Sequence, residues 1–163
     1  MSSGAAARSL VPDPVAGLAS QQRGDLDTRS AIHDLVVAFY REVVFDDLLA
    51  PVFGEVAETD WVTHIPRLVD YWCTILLGTQ QYNGALLDAH REVHQQDPLR
   101  NEHFDRWYQL WVASIEARWS GPRAELATTH AATTAGLLSR RLRGVDHDVR
   151  TAATQAVDET TIT

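Results

Sequence analysis

The apolar positions of this chain fall into helical stripes. Ile32, Leu35, Val36, Phe39, Tyr40, Val43 and Val44 recur at intervals of three and four, which puts them on one face of a helix that Thr28 or Ser30 can cap. DDLLAPVF (46–53) then reads as a corner, because two aspartates and Pro51 suit a tight turn better than a long helix. Asp60, following Thr59, opens a second helix with Trp61, His64, Leu68, Tyr71, Trp72, Ile75 and Leu76 on one side. Pro66 is close enough to its start to be tolerated, and Gly78 ends it. Tyr82-Asn83-Gly84 is a turn signal, ALLDAHREVH (85–94) makes a short third helix and QQDPLRN (95–101) connects onward. A fourth helix over 102–118 aligns Phe104, Trp107, Tyr108, Trp111 and Ile115, and Gly121-Pro122 stops it. The last helix, over about 122–142, carries Leu126, Leu137, Leu138 and Leu142 among many alanines and threonines. No stretch alternates apolar and polar residues, so the predicted fold class is all-α.

Periodicity also sets the expected domain limits. Residues 1–28 mix Ser, Gly, Ala and Pro without a repeat, which predicts a flexible leader, and the pattern fades again after about Gly144 into a flexible tail over 144–163. One domain over 29–143 remains, and a chain of 163 residues has room for a single core. No apolar run approaches the roughly 18 residues that span a membrane, and no secretory h-region follows basic residues. These readings predict no membrane insertion and a cytoplasmic location. The lone Cys73 excludes an intrachain disulfide and fits a reducing compartment. A formal net charge of −8 argues against nucleic acid, whose phosphates need a basic surface.

Four groups could carry chemistry. His90 stands on the short third helix with Leu86, Leu87 and Val93 one turn away, so a metal-binding imidazole would sit beside an apolar wall. An exposed histidine among Asp88, Arg91 and Glu92 is the ordinary alternative. His94, one turn later, suggests a zinc clasp, but HREVH places its glutamate wrongly for a metalloprotease and no third ligand is near. Tyr40 lies inside the first apolar stripe, where a buried hydroxyl wants a partner. Trp107 could donate its N–H to a ligand or simply fill core, and His64 is either a gate or a boundary residue. Each has a bland explanation singly. Together they make the set that a haem pocket for a small diatomic gas requires.

Longer stretches carry a resemblance. AFYREVVFDDLLAPVF (38–53), Trp61-x-x-His64, LVDYWCTILLGTQQYNGALLDAH (68–90) and HFDRWYQLW (103–111) follow one another in an order and spacing similar to the truncated haemoglobins of group III. The Tyr-Asn-Gly turn shortly before a histidine, after a Trp-bearing helix that ends Leu-Leu-Gly, is the most specific part. The absence of Gly-Gly pairs at the corners fits the third group of the family. The chain departs from the usual pattern at Leu86, where a proline is common, and in a longer connector between His90 and Trp107.

That resemblance implies a two-over-two helical sandwich around haem b (iron protoporphyrin IX). It implies His90 as the axial iron ligand, with Tyr40 and Trp107 as hydrogen-bond donors to bound ligand and His64 on the same side. Phe39, Leu68, Trp72, Leu86 and Val93 become pocket walls, and Arg67 the cation near a haem propionate. Trp72, Tyr82 and Gly84 match motif positions of a structural kind. The implied ligands are dioxygen, nitric oxide or another small molecule, with nitric oxide dioxygenase or peroxide chemistry as an enzymatic extension. No flavin or nicotinamide motif is present, so such chemistry would need a separate reductase. Two rivals stand beside it: a haem-based gas sensor or interaction module, and a haem-free all-α regulatory bundle.

Overall fold

The computed structural model describes residues 23–56 and 60–151. Five α-helices carry the fold: α1 (Arg29–Val43), α2 (Trp61–Leu77), α3 (Leu86–Gln96), α4 (Asn101–Arg118) and α5 (Pro122–Arg143). Among the described residues there is no strand, only an isolated bridge between Gly24 and Trp119. α1 packs on α2 and α4 on α5, and the two pairs meet where α1 crosses α4 and α2 crosses α5. The all-α two-over-two expectation therefore holds. α3 lies against α5 and against the turn of π-helix Val52–Val56 that follows α1.

The helix signals act as read. The Thr28 hydroxyl accepts from the Ala31 N–H at 3.1 Å and so caps α1, whose Ile32, Leu35, Val36, Phe39, Tyr40 and Val43 are buried. Val44, the last member of the expected stripe, falls beyond the helix and is exposed. Asp60 caps α2 by accepting from the Val62 N–H at 3.1 Å and the Thr63 hydroxyl at 2.6 Å. Gly78 ends α2 at φ 70°, a left-handed turn open to glycine at no steric cost. Pro66 lies inside α2 and removes one intrahelical donor, the one that would reach the Val62 carbonyl.

α2 differs from its expected single apolar side. Val69, Trp72, Cys73 and Leu76 are its buried residues. His64, Arg67, Leu68 and Tyr71 turn instead to an internal cavity, shared with Trp72. α5 departs further. Leu126 and Leu137 are exposed, and the buried face is Ala124, Ala127, Ala131, Ala132, Ala135, Leu138 and Ser139. Small side chains let α5 lie close to α4, so its packing row is written in alanine. The corner at DDLLAPVF holds because buried Asp46 accepts from the Leu48 and Leu49 N–H groups and from Arg106 Nε at 2.5 Å.

Both expected boundaries move outward. Leu26 and Val149 lie beyond the 29–143 limits and are fully buried. The chain before α1 runs along the α4–α5 junction, where Gly24 O accepts from Ser120 N at 3.0 Å and the Asp25 carboxylate accepts from Arg123 N and Ala124 N. The chain after α5 turns back at Gly144 and is pinned to α4 where His147 Nε2 meets Asp105 Oδ1 at 2.6 Å. It passes so near α5 that a Cβ at Gly136 would come 3.2 Å from the His147 carbonyl. These segments lack helical periodicity because each inserts one apolar anchor rather than a face. The rest of the expected leader and tail, 1–22 and 152–163, lies outside the described residues, as does Thr59.

Candidate functional site

All five helices contribute to one cavity of about 430 Å³, within the size range of small-molecule and cofactor sites. Its walls include every residue that the resemblance places around haem: Phe39, Tyr40, His64, Arg67, Leu68, Trp72, Leu86, His90, Val93 and Trp107. The lining is chiefly apolar and aromatic. What distinguishes it from ordinary core is the state of its polar groups.

His90 stands in the second turn of α3, and its Nδ1 lies 2.8 Å from the Leu86 carbonyl. A carbonyl oxygen can only accept, so Nδ1 carries the proton and Nε2 keeps its lone pair. The residue is partly buried, and desolvation pushes its pKa below the usual histidine range against the opposing Leu86 bond. The result is a neutral, orientated imidazole with a free nitrogen donor. α3 has no side-chain cap, and Leu86 occupies its first position, where proline is favoured. The Leu86 carbonyl serves the imidazole as well as the helix.

On the α1 and α2 side, Tyr40, His64, Trp61 and Phe53 form one aromatic cluster. The Tyr40 ring lies 5.5 Å from His64, 5.3 Å from Trp61 and 5.6 Å from Phe53, centroid to centroid. Phe39 bridges to α4, 4.8 Å from Tyr40 and 5.7 Å from Trp107. Burial drives the Tyr40 phenol far above its ordinary pKa, so the hydroxyl keeps its proton. His64 is pushed below its usual range by burial and then by the Arg67 guanidinium and His90.

The polar atoms in this cluster have no partners. His64 Nε2 is buried and makes no hydrogen bond. Among the described residues the Tyr40 hydroxyl and the Trp107 indole N–H find none either, and Arg67 pairs with no carboxylate. Native interiors satisfy nearly all buried polar groups, so the orphaned His64 Nε2 costs about 1–3 kcal/mol. An unpaired imidazole nitrogen, hydroxyl, indole N–H and guanidinium around one apolar cavity, opposite a free imidazole donor, fit a planar iron-bearing macrocycle with acidic side arms. The residues present therefore fit haem.

The zinc alternative finds no support. The His94 ring accepts from the Leu99 N–H at 3.0 Å, an end-of-helix role, and no cluster of three or more metal-ligating side chains occurs among the described residues. Several wall residues escaped the sequence reading. Ala131, Thr134, Ala135 and Leu138 line the cavity from α5 at helical spacing, and a search for rows of small residues would have found them. Phe53 enters from the π-helical turn after the corner, which no periodicity announces. Buried His103 also lines the cavity, but its Nδ1 accepts from the Arg100 N–H at 2.9 Å and so organises the start of α4. Tyr82 folds over the turn so closely that a Cβ on Gly84 would lie 2.7 Å from its hydroxyl oxygen.

No family model matches the chain. It is 30% identical over 90 residues to a group 3 truncated hemoglobin of Campylobacter jejuni, an alignment spanning 53% of this chain and 68% of that protein. It is similar in fold to the crystal structure of a group III truncated hemoglobin from Campylobacter jejuni, with a TM-score of 0.66 and 24% identity over 77% of this chain and 100% of that one. On that relationship the chain belongs to the group III truncated haemoglobins, a family of globin-type haem-binding proteins.

Proposed function

We propose that this cavity holds haem b through His90 Nε2 and that the chain binds dioxygen and other small diatomic ligands beside Tyr40, His64 and Trp107. The observation that carries the reading is the convergence of unpartnered donors on one apolar cavity opposite a free imidazole nitrogen. Haem, when bound, supplies a redox-active iron with a coordination position for the ligand. The remaining work falls to side chains.

His90 would hold the iron through Nε2, and its Nδ1–H bond to the Leu86 carbonyl fixes the tautomer and aims the ring. Tyr40 and Trp107 donate hydrogen bonds to a ligand that gains negative character. Such charge-assisted bonds in a dry site are about twice as strong as neutral ones. Neutral His64 can donate or accept as the ligand requires. Arg67 at the wall would pair with a propionate, the anion its guanidinium could take there. Phe39, Leu68, Trp72, Leu86 and Val93 exclude water from the ring. Turnover with nitric oxide or peroxide would draw its electrons from a separate reductase.

The test is the dioxygen dissociation rate of the reconstituted ferrous protein and of Tyr40→Phe. Losing one donor of this kind costs about 1.5–3 kcal/mol, a rise in off-rate of roughly ten- to a hundredfold. An unchanged rate in Tyr40→Phe, with wild-type helicity, would remove the donor role. The haem-free bundle reading has the orphaned His64 Nε2 against it, because a bundle without a ligand would gain by pairing or deleting it.

A further inference from the structure

One aromatic network reaches beyond the roles given to Trp72 and Trp107 above. Trp107, Trp111 and Trp72 form a continuous stack along the cavity wall. Trp107 and Trp111 are nearly parallel at 4° with centroids 6.0 Å apart, and Trp111 and Trp72 lie 4.4 Å apart at 18°. The next ring is Tyr71, 5.4 Å from Trp72. Its hydroxyl is 2.6 Å from His130 Nε2 on α5 and 3.5 Å from the Thr134 hydroxyl. Core packing alone does not ask for three stacked indoles that end on a phenol bonded to an imidazole.

Indoles and phenols are the side chains most readily oxidised by one electron. A phenol gives up its electron easily only if its proton has somewhere to go. His130 supplies that acceptor: its ring touches both Tyr71 and Trp72, with centroids at 5.8 Å and 5.7 Å. Burial holds His130 below the usual histidine pKa, so the ring is neutral and its Nε2 can take the proton. Tyr71 itself is held above the usual phenol range, chiefly by burial, so it starts protonated.

We propose that Tyr71 and His130 form a proton-coupled redox site at the cavity wall, joined to Trp107 by the Trp72–Trp111 stack. An oxidant in the cavity takes one electron from Trp107. The vacancy passes through Trp111 and Trp72, each indole returning to its reduced state as its neighbour gives up an electron. Tyr71 supplies the last electron, and its O–H bond breaks as the proton moves to His130 Nε2. The products are a neutral Tyr71 phenoxyl radical and a His130 imidazolium, so one electron and one proton leave the phenol for each electron the oxidant gains. In the haem-loaded protein the oxidant is peroxide-derived. That identity rests on the haem reading, whereas the Tyr71–His130 site does not.

The full chain without haem therefore gives the primary test. Azide radicals made by pulse radiolysis oxidise tryptophan by one electron, and transient absorption then follows indolyl and phenoxyl radicals separately. The expected result is first-order growth of phenoxyl as indolyl decays, lost in Tyr71→Phe. In His130→Gln, which keeps the volume but not the base, that growth slows by roughly tenfold or more. Phenoxyl growth at the wild-type rate in Tyr71→Phe would place the terminus on another tyrosine, such as Tyr82 at 5.1 Å, and overturn the proposal. No phenoxyl growth in the wild type would do the same without relying on any variant. In the loaded chain, a tyrosyl signal in electron paramagnetic resonance after peroxide supports the peroxide-derived oxidant, and its absence would overturn that part alone.

Discussion

The Leu86 carbonyl decides what His90 can do. By accepting from Nδ1 at 2.8 Å it leaves the Nε2 lone pair facing the cavity, and burial keeps the ring neutral. An imidazole free to rotate on an exposed helix would offer neither property. Arg67 is the other residue whose surroundings speak for it. Its charge bears on His64 and Tyr82, yet it has no carboxylate partner among the described residues. A partly exposed ion pair contributes up to about 1 kcal/mol, so Arg67→Gln should speed haem transfer to an acceptor globin by up to roughly fivefold. Unchanged transfer would mean that Arg67 pairs with solvent alone. Tyr40, His64, His90 and Trp107 could be picked from the sequence because each is a polar aromatic or imidazole on an apolar stripe, and family spacing joined them. Tyr71 and His130 could not, because their 2.6 Å contact spans two helices remote in sequence.

Helices α1, α2 and α4 were legible because each carries long apolar periodicity with a cap or stop that works locally. α5 was legible as a helix, but its buried face was not: propensity points to its leucines, while close approach to α4 selects its alanines. The segments beyond 29–143 were the largest miss. Asp25, 98 residues from Arg123 in sequence, supplies the cap that α5 lacks locally, since Gly121 offers no side chain. The segment seats tightly, for a Cβ on Gly121 would meet Asp25 Cγ at 2.8 Å. Asp25→Ala should cost about 0.5–2 kcal/mol of unfolding free energy, the usual loss for a removed cap, measured by denaturant titration. Burial opposes the Asp25 charge, but the Arg123, Leu26 and Ala124 N–H groups and the Arg123 guanidinium hold its pKa below the usual value. Its contribution is therefore fully present above the unfolded value of about 4 and is lost as pH falls through the lower folded value. Acid titration of Asp25→Asn should show a shallower loss of stability in that window. An acid limb as steep as that of the wild type would assign the sensitivity to other carboxylates.

At the scale of the molecule, two helix pairs and a short third element enclose a cavity that none of them could form alone. α1 and α2 bring Tyr40 and His64, α4 brings Trp107, α5 lines one wall with small residues, and α3 presents His90. α3 has no fully buried residue of its own and lies against α5 and the π-helical turn. The all-α class followed from periodicity alone, whereas the convergence of α1 to α4 on one cavity followed from family order and spacing, and the α5 wall followed from neither. The most direct test titrates haem into the full chain and into His90→Ala, with circular dichroism as the check on folding. One haem per chain with an imidazole-ligated absorption spectrum is expected for the wild type. His90→Ala should lose that ligation signature at unchanged helicity and regain it on adding free imidazole. An identical spectrum in the folded variant, or no uptake by the wild type, would contradict the assignment of this cavity and of His90 within it.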